Sequence, residues 1–138
     1  MFVLDASLTL AWGFADEATP STEDVLDRLG GDGALVPAIW PAEVANGLII
    51  GERRGRVSQA QIAHFVDVLT HLPISVNTEG GLALVFGPVL SLAREQGVSV
   101  YDASYLDLAL RRGLPLATLD SRLRAAATRL AVPLVGSD

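Results

Sequence analysis

The 138-residue sequence contains no cysteine and no lysine. Without cysteine the chain cannot form disulfides, cysteine-based zinc sites or a thiol nucleophile, and this absence fits a reducing compartment. Without lysine, all ten basic residues are arginines, which suit bidentate contacts to phosphate. No apolar run approaches the roughly 20 residues of a membrane helix, and the N-terminus lacks the basic start of a signal peptide. We therefore expect a cytoplasmic protein with no membrane partner.

Aromatic residues make up only 6% of the chain, whereas half of all residues are hydrophobic. A chain of this length buries about 68–70% of its unfolded surface, so we expect a single domain over residues 1–138. The high apolar content fits either an alanine- and leucine-rich core or a surface covered by a partner. The formal charge of −6 argues against a phosphate-rich partner. If four of the 16 acids belong to a metal site, however, 12 acids remain against ten arginines.

Short apolar runs alternate with segments of helical periodicity, a pattern that predicts an α/β fold. Parallel strands follow if the connections are crossover helices. The predicted strands are residues 2–4, 34–36, 74–76, 115–119 and 133–135. The predicted helices are residues 7–12, 21–29 stopped by Gly30-Gly31, 41–50, a helix capped by Ser58, 82–93 kinked at Gly87-Pro88, 100–110 and 121–130.

Two aspartates directly follow predicted strands. Asp5 follows the strand at residues 2–4, and Asp120 follows the strand at residues 115–119. Ligands of parallel sheets collect beyond the carboxyl ends of the strands, so both acids are candidate oxygen ligands for a hard cation. Each is also a good N-cap for the helix behind it, and the two roles are compatible.

Two further acids lie in the first turns of apolar helices. Asp102 heads a stripe that continues with Tyr105 and should face the sheet, where an unpaired carboxylate is costly. Glu43 is the lone acid at the start of the helix that begins near Pro41. Asn46, one turn later, is a candidate partner for Glu43 or for a metal-bound water. The helix dipole alone also favours an acid at Glu43.

Four stretches together resemble the PIN domain, and specifically the VapC-type toxins of bacterial toxin–antitoxin pairs. They are Val3-Leu4-Asp5-Ala6-Ser7, Pro41-Ala42-Glu43-Val44-Ala45-Asn46, Val100-Tyr101-Asp102-Ala103-Ser104-Tyr105-Leu106 and Leu116-Ala117-Thr118-Leu119-Asp120. The resemblance implies a three-layer α/β/α fold with a central parallel sheet and Mg²⁺- or Mn²⁺-dependent endoribonuclease activity. It also implies a homodimer and inhibition by a cognate antitoxin.

The resemblance assigns roles to particular residues. By carry-over, the catalytic and metal-binding residues are an acidic quartet of Asp5, Glu43, Asp102 and Asp120. Ser7 and Thr118 would be hydroxyl neighbours that orient ligands or water. RNA would be hydrolysed by metal-activated water rather than by a side-chain nucleophile.

Several other features have ordinary structural interpretations. Asp107 should form an exposed i,i+4 ion pair with Arg111, and His64 and His71 should lie on a solvated helix face. The arginine-rich segment at residues 51–56 either steers RNA or complements the end of a helix.

Other functions share some of these features. A phosphoryl-accepting receiver domain needs a lysine, which the chain lacks. An aspartate-nucleophile phosphatase needs an acid at the position of Ser7. A non-catalytic PIN-like scaffold that binds RNA or protein remains the main alternative to a ribonuclease.

Overall fold

The computed structural model describes residues 1–136, and the last two residues of the expected domain lie outside them. Helices and strands alternate along the chain. They are β1 (Phe2–Leu4), α1 (Ala6–Gly13), α2 (Pro20–Asp32), β2 (Ala34–Pro37), α3 (Trp40–Arg53), α4 (Gln59–Thr70), β3 (Ile74–Asn77), α5 (Gly81–Leu84), a π-helical segment (Val85–Val89), α6 (Leu90–Gln96), α7 (Val100–Arg112), β4 (Leu116–Ala117) and α8 (Ser121–Arg129).

The four strands form one parallel sheet in the order β3-β2-β1-β4. The predicted α/β fold with a central parallel sheet is confirmed. β1 lies between β2 and β4, with Val3 paired to both Leu35 and Leu116. β1, β2 and β4 are buried throughout, whereas β3 is a partly exposed edge strand. The segments that follow β1, β2 and β4 therefore emerge side by side at one edge of the sheet.

Helix α7 packs against β1 and β2 and also contacts α6, α8 and the π-helical segment. Most of its middle is consequently buried. Asp107 was expected to be exposed and is instead only 6% exposed, so that prediction was wrong. Its predicted ion pair with Arg111 is present, with Oδ2 accepting from Nε at 2.7 Å.

Three predicted boundaries differ from the structure. Helix α2 continues through Gly30-Gly31, which are both exposed. The chain turns only at Gly33, where φ is +75°. Strand β4 is shorter than residues 115–119 because hydroxyl groups, not a neighbouring strand, bind the next backbone N–H groups. The predicted strand at 133–135 is reduced to a single parallel bridge between Leu116 and Leu134.

Two local predictions agree with the structure. Ser58 caps α4, and the N3 residue Gln61 completes a capping box. The kink expected at Gly87-Pro88 is a π-helical segment with Pro88 inside it, a usual consequence of proline in a helix. Within the described part of the chain, none of the helices combines the length and apolar character needed to cross a membrane.

Candidate active site

Asp5 lies just beyond β1 and is only 5% exposed. Its Oδ2 atom accepts one hydrogen bond from the Ser7 hydroxyl and one from the Thr118 hydroxyl, each at 2.6 Å. Burial raises the pKa of Asp5, the two hydroxyls and the Ala6 N–H lower it, and the charge of Asp120 raises it further. A buried carboxylate is therefore fixed in orientation at the carboxyl end of the central strand.

The same two hydroxyls also organise the turn after β4. Ser7 accepts a hydrogen bond from the Leu119 N–H at 3.1 Å, and Thr118 accepts one from the Asp120 N–H at 3.0 Å. Their oxygens are 3.3 Å apart. Because each hydroxyl bonds both Asp5 and the turn, the turn that carries Asp120 is tied to the end of β1.

Asp120 is the N-cap of α8, where its Oδ1 accepts from the Leu123 N–H at 2.9 Å. The capping role foreseen for this residue is therefore present. Its charge also raises the pKa of both Asp5 and Asp102. Asp120 thus acts on the acidic site while it caps a helix.

Asp102 lies in the first turn of α7, after the N-cap Ser99. Burial raises its pKa, as do the charges of Asp120 and Asp5, whereas Ser99 and Arg122 lower it. Asp102 is therefore close enough to two acids from other segments to interact with both.

Glu43 lies in the first turn of α3 and is half-buried. Its Oε1 accepts from the Tyr105 hydroxyl at 2.6 Å. Burial raises the pKa of Glu43, the Tyr105 hydroxyl lowers it, and the charges of Asp5 and Asp102 raise it. Asn46, the candidate partner of Glu43 or of a metal-bound water, is exposed, and no side-chain hydrogen bond of Asn46 is found among residues 1–136.

Comparison with known proteins identifies the family to which this arrangement belongs. The family model described as "PIN domain" matches residues 2–128. The chain belongs to the PIN domain family. The resemblance predicted from the four sequence stretches is thereby confirmed.

Two relatives of this PIN domain come from Pyrobaculum aerophilum. A protein named Ribonuclease VapC3 is 30% identical over 131 residues, which is 95% of this chain and 98% of the relative. A solved structure titled "Crystal structure of PAE2754 from Pyrobaculum aerophilum" superimposes with a TM-score of 0.68 and 28% identity, covering 91% of this chain and 84% of that one.

Within the acidic quartet of this PIN domain, most pairs of carboxylates repel each other. The charge of Asp120 raises the pKa of Asp5 and of Asp102. The charge of Asp5 raises the pKa of Glu43 and of Asp102, and the charge of Asp102 raises the pKa of Glu43. Such repulsion is relieved by a cation, and carboxylate oxygens are the ligands that Mg²⁺ prefers. The donor chemistry therefore fits a hard divalent ion.

The side chains are not yet converged as in a metal complex. Within residues 1–136, no group of three or more His, Cys, Asp or Glu side chains is close enough to hold an ion as it stands. Asp102 and Glu43 are half-buried, whereas Asp5 is buried.

Two residues near the quartet are not predicted from the sequence. Tyr105 was assigned to the apolar stripe of α7, and only the packing of α7 against α3 shows that its hydroxyl reaches Glu43. Arg122, in the first turn of α8, is the cation that acts on Asp102. The feature of the sequence that could have identified Arg122 is a positive charge in the first turn of a helix, where the helix dipole disfavours it.

The arginine-rich segment has at least one structural contact. Arg56 binds Asp16 at 3.0 Å and Glu17 at 2.6 Å, and its guanidinium lies 4.3 Å from the centroid of the Phe14 ring. This part of the segment therefore holds a loop in place. Steering of RNA by the remaining arginines stays a prediction.

Proposed function

We propose that this PIN domain is a Mg²⁺- or Mn²⁺-dependent endoribonuclease and the toxin of a toxin–antitoxin pair. The observation that carries the proposal is the buried Asp5 at the carboxyl end of β1, whose charge interacts with Asp120, Glu43 and Asp102 from three other segments. The relation to a protein named Ribonuclease VapC3 supports RNA as the substrate class.

In this proposal, Asp5, Glu43, Asp102 and Asp120 hold the divalent ion. When bound, such an ion lowers the pKa of water and neutralises charge on the phosphate. Ser7 and Thr118 keep Asp5 in one orientation through their hydrogen bonds to Oδ2. Neither histidine lies at this edge as an alternative base, because both are exposed on or just after α4.

Arg122 is the residue proposed to bind an RNA phosphate beside the quartet. It is exposed, and no hydrogen bond or ion pair of its side chain is found within residues 1–136. Its charge already acts on Asp102. An unpaired guanidinium beside a cluster of acids gives the phosphate backbone a favourable contact in a repulsive region.

RNA cleavage by the purified protein tests the activity. We expect cleavage with Mg²⁺ or Mn²⁺, none with EDTA, and a loss of more than about 100-fold in Asp5→Asn and Asp102→Asn, since even outer partners of metal ligands contribute 10–100-fold. Asp27→Asn, which removes an exposed charge from α2, is the matched control.

The main alternative, a non-catalytic scaffold, gives a different result in the same assay. A scaffold would bind RNA equally well in all three variants and cleave it in none of the conditions. Undiminished cleavage by Asp5→Asn or Asp102→Asn would contradict the proposed mechanism.

The proposed protein partners are a cognate antitoxin and a second copy of the chain. An antitoxin with a basic segment would complement the acidic site, and co-expression with the product of the adjoining reading frame should suppress cleavage. If co-expression leaves RNA cleavage unchanged, the product of the adjoining reading frame is not an antitoxin of this protein.

For the second copy, the supporting feature is a cavity of about 570 Å³ between α5, the π-helical segment and α7. Leu82 and Phe86 stand at its rim and are 73% and 68% exposed. Apolar projections and an apolar cavity on one face suit an isologous dimer. Light scattering should show a dimer that Phe86→Ser, but not Val68→Ser, converts to a monomer.

A further inference from the structure

Tyr105 is a fully buried residue whose polar end reaches the acidic quartet. Its side chain is 0% exposed, and its hydroxyl donates to Glu43 Oε1 at 2.6 Å across 62 residues of sequence. One phenol therefore joins α7 to α3.

The hydroxyl of Tyr105 serves the carboxylate rather than the packing. A phenylalanine would fill the same apolar space, whereas the hydroxyl requires a partner when it is buried. Hydrogen bonds to a charged acceptor are about twice as strong as neutral ones. Among the described residues, the bond from Tyr105 is the side-chain hydrogen bond found for Glu43, so it is what fixes the direction of that carboxylate.

We propose that Tyr105 is a positioning residue that holds the Glu43 carboxylate beside Asp5 in readiness for a divalent cation. The inference rests on the proposed function, since it concerns the same site. Without the hydroxyl, Glu43 is free to take other rotamers in the first turn of α3, and binding an ion then has to overcome that entropy.

Titration calorimetry with Mn²⁺, in the absence of RNA, tests the role of Tyr105. We expect Tyr105→Phe to remain folded by circular dichroism and to raise the Kd for Mn²⁺ about tenfold or more, as is typical of outer partners of metal ligands. The matched control is Tyr101→Phe. It removes the same atom from the same helix, but from a ring that is 57% exposed, and it should leave the Kd unchanged.

A double-mutant cycle separates positioning from a general effect on the fold. If the hydroxyl acts through Glu43, Tyr105→Phe should not change the Kd further in a Glu43→Ala background. An undiminished effect in that background would overturn the inference, as would equal Mn²⁺ affinity of the wild type and Tyr105→Phe. Both of these outcomes leave the proposed function standing, whereas a wild-type protein that does not bind Mn²⁺ overturns the function as well.

Glu43→Asp provides a second test if Tyr105→Phe does not fold. The shorter side chain keeps its charge but draws the carboxylate away from the Tyr105 hydroxyl. We expect its Mn²⁺ affinity to fall about tenfold or more, and an unchanged affinity would overturn the inference.

Discussion

Asp5 combines burial with two short hydrogen bonds to the same carboxylate oxygen. Ser7 and Thr118 both donate to Oδ2 at 2.6 Å, and both also accept a backbone N–H from the turn after β4. Charge-assisted bonds of this kind offset part of the cost of burying a carboxylate. The two hydroxyls thereby couple the orientation of Asp5 to the position of Asp120.

Replacement of Thr118 tests this coupling. Thr118→Val keeps the shape of the side chain but removes the donor to Asp5 and the acceptor for the Asp120 N–H. We expect RNA cleavage to fall about 10–100-fold. Thr128→Val is the control, because that hydroxyl bonds only within α8, to the Arg124 carbonyl. Equal cleavage rates for the two variants would contradict the coupling.

At the scale of single residues, the sequence predicted which acids follow strands or open helices, but not their partners. Asp5 and Asp120 could be placed because strand ends are visible in the apolar pattern. The bond between Tyr105 and Glu43 could not, because it depends on how α7 packs against α3. For the same reason the sequence indicates Asn46 as a candidate partner of Glu43 or of a metal-bound water, although Asn46 is exposed.

Helices α1 and α3 approach each other closely at Gly47. A Cβ atom there would meet the end of the Leu10 side chain of α1, which would have to move. Overpacking of this kind costs about 1–3 kcal/mol. We therefore expect Gly47→Ala to lower the free energy of unfolding by that amount in urea denaturation.

A second glycine in a helix gives the opposite expectation. Nothing lies within 4 Å of a Cβ added at Gly30 in α2. Gly30→Ala should therefore raise the free energy of unfolding by roughly 0.5–1 kcal/mol through helix propensity alone. If both alanine variants were stabilised, the Leu10 side chain would move aside at no net cost, contrary to the expected overpacking.

Helix α8 begins with a positive charge at its unfavourable end. Arg122 there opposes the helix dipole, yet its charge lowers the pKa of Asp102. If it binds phosphate, Arg122→Ala should raise KM about tenfold, as expected of one charged hydrogen bond, and reduce the slope of log affinity against log salt by about 1.

Arg28→Ala on α2 is the control for Arg122→Ala. It removes the same charge from an exposed position on a different helix, so it tests the effect of net charge alone. A KM that changes equally in the two variants would show that Arg122 acts through net charge and not through a phosphate contact.

Element boundaries were less predictable than the elements themselves. The stop expected at Gly30-Gly31 failed because glycine tolerates a helix at modest cost, and the turn is made where a positive φ occurs, at Gly33. The end of β4 could not be predicted because Ser7, 111 residues from Thr118, competes for the backbone of the turn.

Across the whole molecule, the strand order explains why distant acids meet. β1 lies between β2 and β4, so Asp5 sits between the segments leading to Glu43 and to Asp120. The alternation of strands and helices predicted the α/β fold and the parallel sheet. It did not predict the burial of Asp107, because the number of elements packed around α7 is a property of the assembled fold.

The acidic quartet should make the metal-free protein sensitive to pH. The pKa values of Asp5, Glu43 and Asp102 are raised in the folded state, chiefly by burial. Folding therefore binds protons, and this contribution to stability is present below the ordinary carboxyl pKa and lost as pH rises through the raised values. In EDTA we expect a higher Tm at about pH 5 than at about pH 8.

Two comparisons assign that pH dependence to the site. Asp5→Asn should flatten it and raise the Tm at neutral pH, whereas Asp27→Asn, at an exposed position of α2, should leave it as in the wild type. Mg²⁺ should also flatten it, because a bound cation offsets the repulsion between the carboxylates. An equally steep fall of Tm in Asp5→Asn would show that the quartet is not its origin.

The most direct test of a shared ion is Mn²⁺ titration of the wild type, Asp5→Asn and Asp102→Asn. The two aspartates come from opposite parts of the sequence, and their carboxylates interact in the folded chain. If they hold one cation, the wild type binds Mn²⁺ and each substitution alone abolishes the binding. Retention of wild-type affinity by either variant would contradict the claim that these acids share a metal ion.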